Sequence, residues 1–331
     1  MPQAPYAILA AILALAIAPI ASAAERQHIL PGATAPDWRP SLLVREQTPA
    51  SGDRSRPVLY VHGASFPSAL SIMFKFGGRS WADALNDQGY DAFGLDFAGY
   101  GGSERYPEMA GPQAGAPLGR TEDAARQIER AVAFIKAETG ARTVSIIAHS
   151  WGTMPATRFA ELHPELVNRL VLFGPILRRD GPRDLEPNAW TLITNDQQHR
   201  RFVKDVPAAH QPVLEEADFP TWAATYLASD PGAADRSPPA VKIPSGPSAD
   251  VIDAWSGMLP YAPSRLRVPV MVVRGAWDSS STPQDAERFF AELPPGLERR
   301  FVEIPEGTHL LHLETGRHAL YAAVNGFLAG R

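Results

Sequence analysis

The chain has no cysteine among its 331 residues. That excludes disulfides, a thiol nucleophile, thiolate metal sites and a lipid-anchoring cysteine. A basic surplus is missing too: 31 Lys and Arg stand against 36 Asp and Glu, for a net charge of −5. Neutralising phosphates needs such a surplus, so no nucleic-acid partner is expected. No block of like charges marks a tail or a site for an acidic substrate. Long apolar runs are absent except at the N-terminus. Residues 6–18 are almost wholly Ala, Ile and Leu, and Ala21-Ser22-Ala23 places small residues at cleavage spacing before Glu25-Arg26. This predicts a secretory signal peptide over residues 1–24, cleaved near Ala23, although no Lys or Arg precedes the run. An uncleaved anchor helix is the competing reading; Pro19 and the short apolar core weigh against it. Export without cysteine fits a bacterial periplasmic or secreted protein with no stable membrane anchor.

What is present is ordinary for a soluble globular chain: 45 % apolar and 20 % charged residues. The length suits one large domain, or a core domain with an insertion. No internal repeat is evident. Apolar β-rich runs alternate with helical patterns. Residues 58–61 read as a buried strand ending at His62-Gly63, residues 80–88 as a short helix stopped by Gly89, and residues 90–96 as the next strand. Thr121 is expected to cap a helix whose apolar positions are Ala124, Ala125, Ile128, Ala131, Val132 and Ile135, ended by Gly140. A strand at 143–147, a helix at 151–163 and a strand at 169–173 follow. Residues 175–263 then hold 13 of the 32 prolines, which predicts short helices and irregular loops, not strands. Alternation resumes with a strand at 268–273, a helix at 283–293, a strand at 299–304 and a helix at 313–328. The expected fold is α/β: a mostly parallel, doubly wound sheet built from residues 25–175 and 264–331. Residues 176–263, inserted after the sixth strand, are expected to form a helical lid over the carboxyl ends of the strands, where open α/β sheets bind ligands.

One pentapeptide carries the chemistry. In Ala148-His149-Ser150-Trp151-Gly152, a serine stands between two small residues where a β-rich run gives way to a helical one. A nucleophile elbow needs this arrangement, because the chain reverses so tightly that strand and helix nearly touch. A serine capping the next helix is the bland alternative.

Taken with the strand order, these residues resemble the α/β-hydrolase fold superfamily in its capped form. The resemblance spans about residues 39–331 and rests on four separated motifs in the family's order. It implies that Ser150 is a nucleophile; the family's first elbow glycine is Ala148 here. It implies that His309, in Pro305-Glu306-Gly307-Thr308-His309-Leu310, is the base. His312 and His318 compete for that role, but by spacing they belong to the closing helix as surface or helix-start residues. Asp278, in Val273-Arg274-Gly275-Ala276-Trp277-Asp278, is implied as the acid that orients His309, with Asp285 as the alternative. The backbone N–H of Trp151 and that of Ala64, in His62-Gly63-Ala64, are implied as the oxyanion hole, with the His62 side chain structural. Asp96, in Asp96-Phe97-Ala98-Gly99-Tyr100-Gly101-Gly102-Ser103, matches an architectural turn and is expected to hold loop backbone. Trp190, Phe202, Phe219, Trp222, Tyr226, Trp255 and Tyr261 are expected to form the lid's own core, with two or three reaching the pocket. The implied activity is hydrolysis of an ester-like bond in a small molecule with an apolar or aromatic part, without cofactor or metal. An aminopeptidase, a lactonase, a perhydrolase or a non-catalytic binding protein on the same scaffold stays open.

Overall fold

In the computed structural model, residues 25–34, 36–183 and 185–331 are described; the expected signal peptide lies outside them. The strands are β1 (Glu25–Leu30), β2 (Leu42–Gln47), β3 (Pro57–Val61), β4 (Asp91–Leu95), β5 (Val144–His149), β6 (Val167–Phe173), β7 (Trp190–Ile193), β8 (Val241–Pro244), β9 (Val270–Gly275) and β10 (Arg299–Ile304). The helices are α1 (Trp81–Asn86), α2 (Thr121–Thr139), α3 (Thr153–Leu162), α4 (Asn195–Val203), α5 (Phe219–Ala228), α6 (Gly246–Trp255), α7 (Pro283–Glu292) and α8 (Arg317–Leu328). Eight strands form one sheet in the order β1-β2-β4-β3-β5-β6-β9-β10. From β4 to β10 every pairing is parallel, while β1–β2 and β2–β4 are antiparallel. The expected doubly wound sheet is therefore present, extended by an antiparallel pair at its N-terminal edge.

Alternation along the central strands explains the two layers. On β3, Leu59 and Val61 face a core shared with Ile128, Val132 and Ile135 of α2 and Met154 and Phe159 of α3. Val58 and Tyr60 face the other side, packing with Trp81 of α1 and with Leu320, Tyr321 and Phe327 of α8. Both faces of the parallel strands are thus apolar, so such strands read as continuous hydrophobic runs. Among the described residues, no helix is long and apolar enough to cross a membrane.

Between β6 and β9 the chain leaves the sheet for β7, α4, α5, β8 and α6. Here the strand-free expectation fails: β7 and β8 form an antiparallel ribbon, with Trp190 opposite Pro244 and Ile193 opposite Val241. Each strand has four residues and its partner lies far along the chain, so local periodicity carries no trace of the pairing. A second correction concerns Thr121. The N-cap of α2 is Arg120, with no side-chain cap bond. Thr121 donates instead to Asp250 of α6, from its backbone N–H at 2.8 Å and its hydroxyl at 2.7 Å. A carboxylate from the inserted segment thus sits at the positive end of α2.

Candidate active site

Parallel strands in register end on one edge, and that edge gathers the residues singled out above. Val61 pairs with Ala148, His149 with Phe173, Phe173 with Val273, and Gly275 with Ile304. Loops leaving β3, β5, β9 and β10 therefore start within a few strand spacings of one another. They carry Ala64, Ser150, Asp278 and His309. Among the described residues, the non-glycine residues at positive φ are Ser150 (56°) and Glu306 (54°), and both belong to these loops. At Ser150 this is the strained turn that the pentapeptide predicts. Gly152 makes the turn possible: a Cβ there would stand 2.3 Å from the carbonyl oxygen of His62.

The polar side chains form one line. His309 Nε2 lies 2.8 Å from Ser150 Oγ, and His309 Nδ1 lies 2.9 Å from Asp278 Oδ2. Asp278 is buried, and its other oxygen accepts the N–H groups of Ser280 (2.8 Å) and Ser281 (3.1 Å). The carboxylate is thereby clamped by its own loop with one oxygen left for the imidazole. Gly174, at φ 52°, lies against this pair; a Cβ would come within 3.0 Å of Asp278 and 3.1 Å of His309. With Nδ1 donating to the carboxylate, Nε2 is left as an acceptor facing the serine hydroxyl.

Around this line the competing residues fall elsewhere. Asp285 sits in the first turn of α7, in a capping box with Thr282 and an ion pair with Arg179 at 2.7 Å. His62 is buried between backbone groups: its Nδ1 lies 2.7 Å from Gly63 O, and the Phe97 N–H donates to its Nε2 at 3.1 Å. Burial pushes its pKa down, so it stays neutral and braces the loop that carries Ala64. Asp96 accepts the N–H of Ser68 (2.9 Å) and of Gly102 (3.1 Å), as the turn reading expects. The Ala64 N–H has no hydrogen-bond partner among the described residues.

His318 is exposed; His312 is not. It is buried in a short turn before α8, its ring centroid 4.5 Å from that of His149. Burial pushes its pKa down to about 3. A surface reading failed here because the closing helix starts later, at Arg317, and the turn before it folds inward. His149 was not singled out by sequence. It lies beneath His309, donating from Nε2 to the His309 carbonyl at 2.9 Å, and burial holds its pKa well below the ordinary histidine value. The Trp151 side chain is anchored as well: its indole N–H donates to Asp250 Oδ2 at 2.9 Å.

Ser150 and His309 open onto a cavity of about 290 Å³ whose wall includes Ala64, Ile176, Val251 and Trp255. Of the aromatics expected in the inserted segment, Trp255 alone lines it. Phe202, Trp222 and Tyr226 are buried against Phe66 and one another.

Comparison with known proteins bears on the fold that carries these residues. A family model described as alpha/beta hydrolase fold matches residues 56–315. A serine hydrolase from the polyaromatic-hydrocarbon-degrading Cycloclasticus zankles aligns at 13 % identity and TM-score 0.61, over 93 % of this chain and 99 % of that one. A thermophilic esterase from Thermogutta terrifontis, bound to malate, aligns at 17 % and 0.57, over 92 % and 98 %. An esterase from Exiguobacterium antarcticum aligns at 18 % and 0.58, over 88 % and 96 %. At these identities the likeness is one of fold. No curated protein matches the chain.

Proposed function

We propose, for a chain that belongs to the α/β-hydrolase fold family, that it is a serine hydrolase cleaving a carboxylic ester-like bond through an acyl-enzyme. One observation carries this reading: the unbroken line from Ser150 Oγ through His309 to Asp278, starting at a serine in left-handed backbone geometry. A serine hydroxyl is unreactive without a base in hydrogen-bond reach, and a base needs its other nitrogen fixed. Both conditions are met by distance.

In the proposed sequence, Ser150 Oγ attacks the carbonyl carbon while His309 Nε2 takes the hydroxyl proton. The oxyanion is received by the backbone N–H groups of Ala64 and Trp151. Breaking the C–O bond releases the alcohol, which leaves with the proton from His309. Water then attacks the acyl carbon on Ser150 with His309 as base, and the acid departs as Ser150 regains its proton. Asp278 holds the tautomer and stabilises the imidazolium at each stage. Residues 176–263 act as a lid in this reading, since α6 contributes Trp255 and Val251 to the cavity wall.

The test is direct. A fluorophosphonate probe should label Ser150 in folded protein, and p-nitrophenyl esters of graded acyl length should be turned over. Ser150→Ala should abolish labelling and lower kcat by at least about a thousandfold. Normal turnover in that variant, or unlabelled folded wild type, overturns the reading.

A further inference from the structure

The cavity that Ser150 lines is cationic. Arg201 in the last turn of α4 and Lys204 at its C-cap both line it, and no acidic side chain does. On a chain of net charge −5 this is a local reversal of sign. The two cations differ in what they already bind. Lys204 reaches Ser279 Oγ at 3.4 Å and Asp205 at 4.0 Å. Arg201 makes no hydrogen bond or ion pair among the described residues. Helix C-termini favour cations, but Arg200 in the same turn meets that demand without entering the cavity. Arg201 is solvent-accessible on the cavity wall, so its guanidinium is free to take up an anion.

We infer that Arg201 selects substrates bearing a carboxylate remote from the scissile carbonyl. This rests on the serine hydrolase reading and names its substrate class. A guanidinium offers parallel N–H donors that match the two carboxylate oxygens. The apolar part of the lining, with Ile176, Val251 and Trp255, takes the apolar body of the substrate. No block of charge in the sequence announces this preference; a single helix end brought over the sheet creates it.

The carboxylate sits on either the acyl group or the leaving group, and two substrate pairs separate these cases. One compares p-nitrophenyl hemiglutarate with p-nitrophenyl hexanoate; the other compares p-carboxyphenyl butyrate with p-acetylphenyl butyrate. Wild type should prefer the charged member of one pair by kcat/KM. Arg201→Gln should cut that preference about thirtyfold, chiefly through KM, and Arg201→Lys should restore part of it. Lack of preference in both pairs, or a preference untouched by Arg201→Gln, overturns the inference. If Arg201→Gln does not fold, inhibition of wild-type hexanoate hydrolysis decides instead. Competitive inhibition by glutarate but not by glutaramide supports it; equal inhibition, or none, overturns it. Failure of the parent reading is seen separately, as absence of any Ser150-dependent ester turnover in wild type.

Discussion

The sheet edge and the inserted segment build one cavity by different means. At the sheet edge, positions follow from backbone: register across β3, β5, β6, β9 and β10 brings the loops together, and their side chains need only short reaches. The inserted segment has no ladder to the sheet among its named strands, since β7 and β8 pair with each other. It is tied down by side chains and by isolated backbone hydrogen bonds to neighbouring loops. Asp250 is buried and receives Thr121 N and Oγ1, Trp151 Nε1 and Arg120. Arg120 also pairs with Asp253, one turn further along α6. The difference teaches where precision resides. In the proposed reading, the reacting groups are held by strand register, and the substrate-facing wall by separate side-chain and loop contacts.

Breaking the sheet side should cost chemistry. Asp278→Asn keeps shape, and its remaining oxygen still accepts from Ser280 and Ser281. The amide NH2 then faces His309 Nδ1, which must accept, so Nε2 carries the proton and cannot act as base. The expected loss is about 10³–10⁴-fold in kcat with little change in the unfolding midpoint. A loss under tenfold would show that Asp278 does not set the tautomer. Breaking the other side should cost stability. Asp250→Ala strands the Trp151 indole and the Thr121 N–H and leaves Arg120 with Asp253 alone, a loss of about 2–4 kcal/mol. Urea unfolding should show it directly. In the folded fraction KM should rise more than kcat falls, because Val251 and Trp255 ride on the same helix. A dominant fall in kcat would mean that Asp250 positions the elbow itself.

The same contrast explains what was legible in the sequence. The parallel strands were readable because burial on both faces writes unbroken apolar runs, as in Val270 to Val273. Ser150, His309 and Asp278 were singled out through the family resemblance, whose motifs follow the ends of those runs. β1 went unread, since it is an edge strand whose first residues are exposed and polar. β2 hid its strand character by burying Glu46 and Gln47 among polar partners. Arg201 was unreadable for a different reason. A cation on a polar helix has the same local signature whether it meets solvent or a cavity, and only the tertiary placement of α4 distinguishes them.

The seam between the two regions offers the finest test. Leu214 of the inserted segment bridges to Glu314, Thr315 N donates to Val213 O at 2.8 Å, and Arg317 pairs with Glu215 at 2.9 Å. Glu314 is buried there and accepts the Thr308 N–H at 3.1 Å and the Thr308 hydroxyl, just before His309. Burial raises its pKa to about 7. For a carboxyl raised above its unfolded value, the native state binds the extra proton. The stability this adds is fully present below about 4.5 and is lost as pH rises through about 7. Ionised Glu314 therefore weakens the seam at alkaline pH, by up to about 3 kcal/mol. Glu314→Gln, neutral at every pH, should be more stable than wild type at pH 8 by about 1–3 kcal/mol and equal to it near pH 5. Urea titrations at both pH values measure the gap. A gap that does not change with pH would mean that the Thr308 hydrogen bonds, and not burial, govern this carboxyl, and that the seam is held as firmly as the sheet edge.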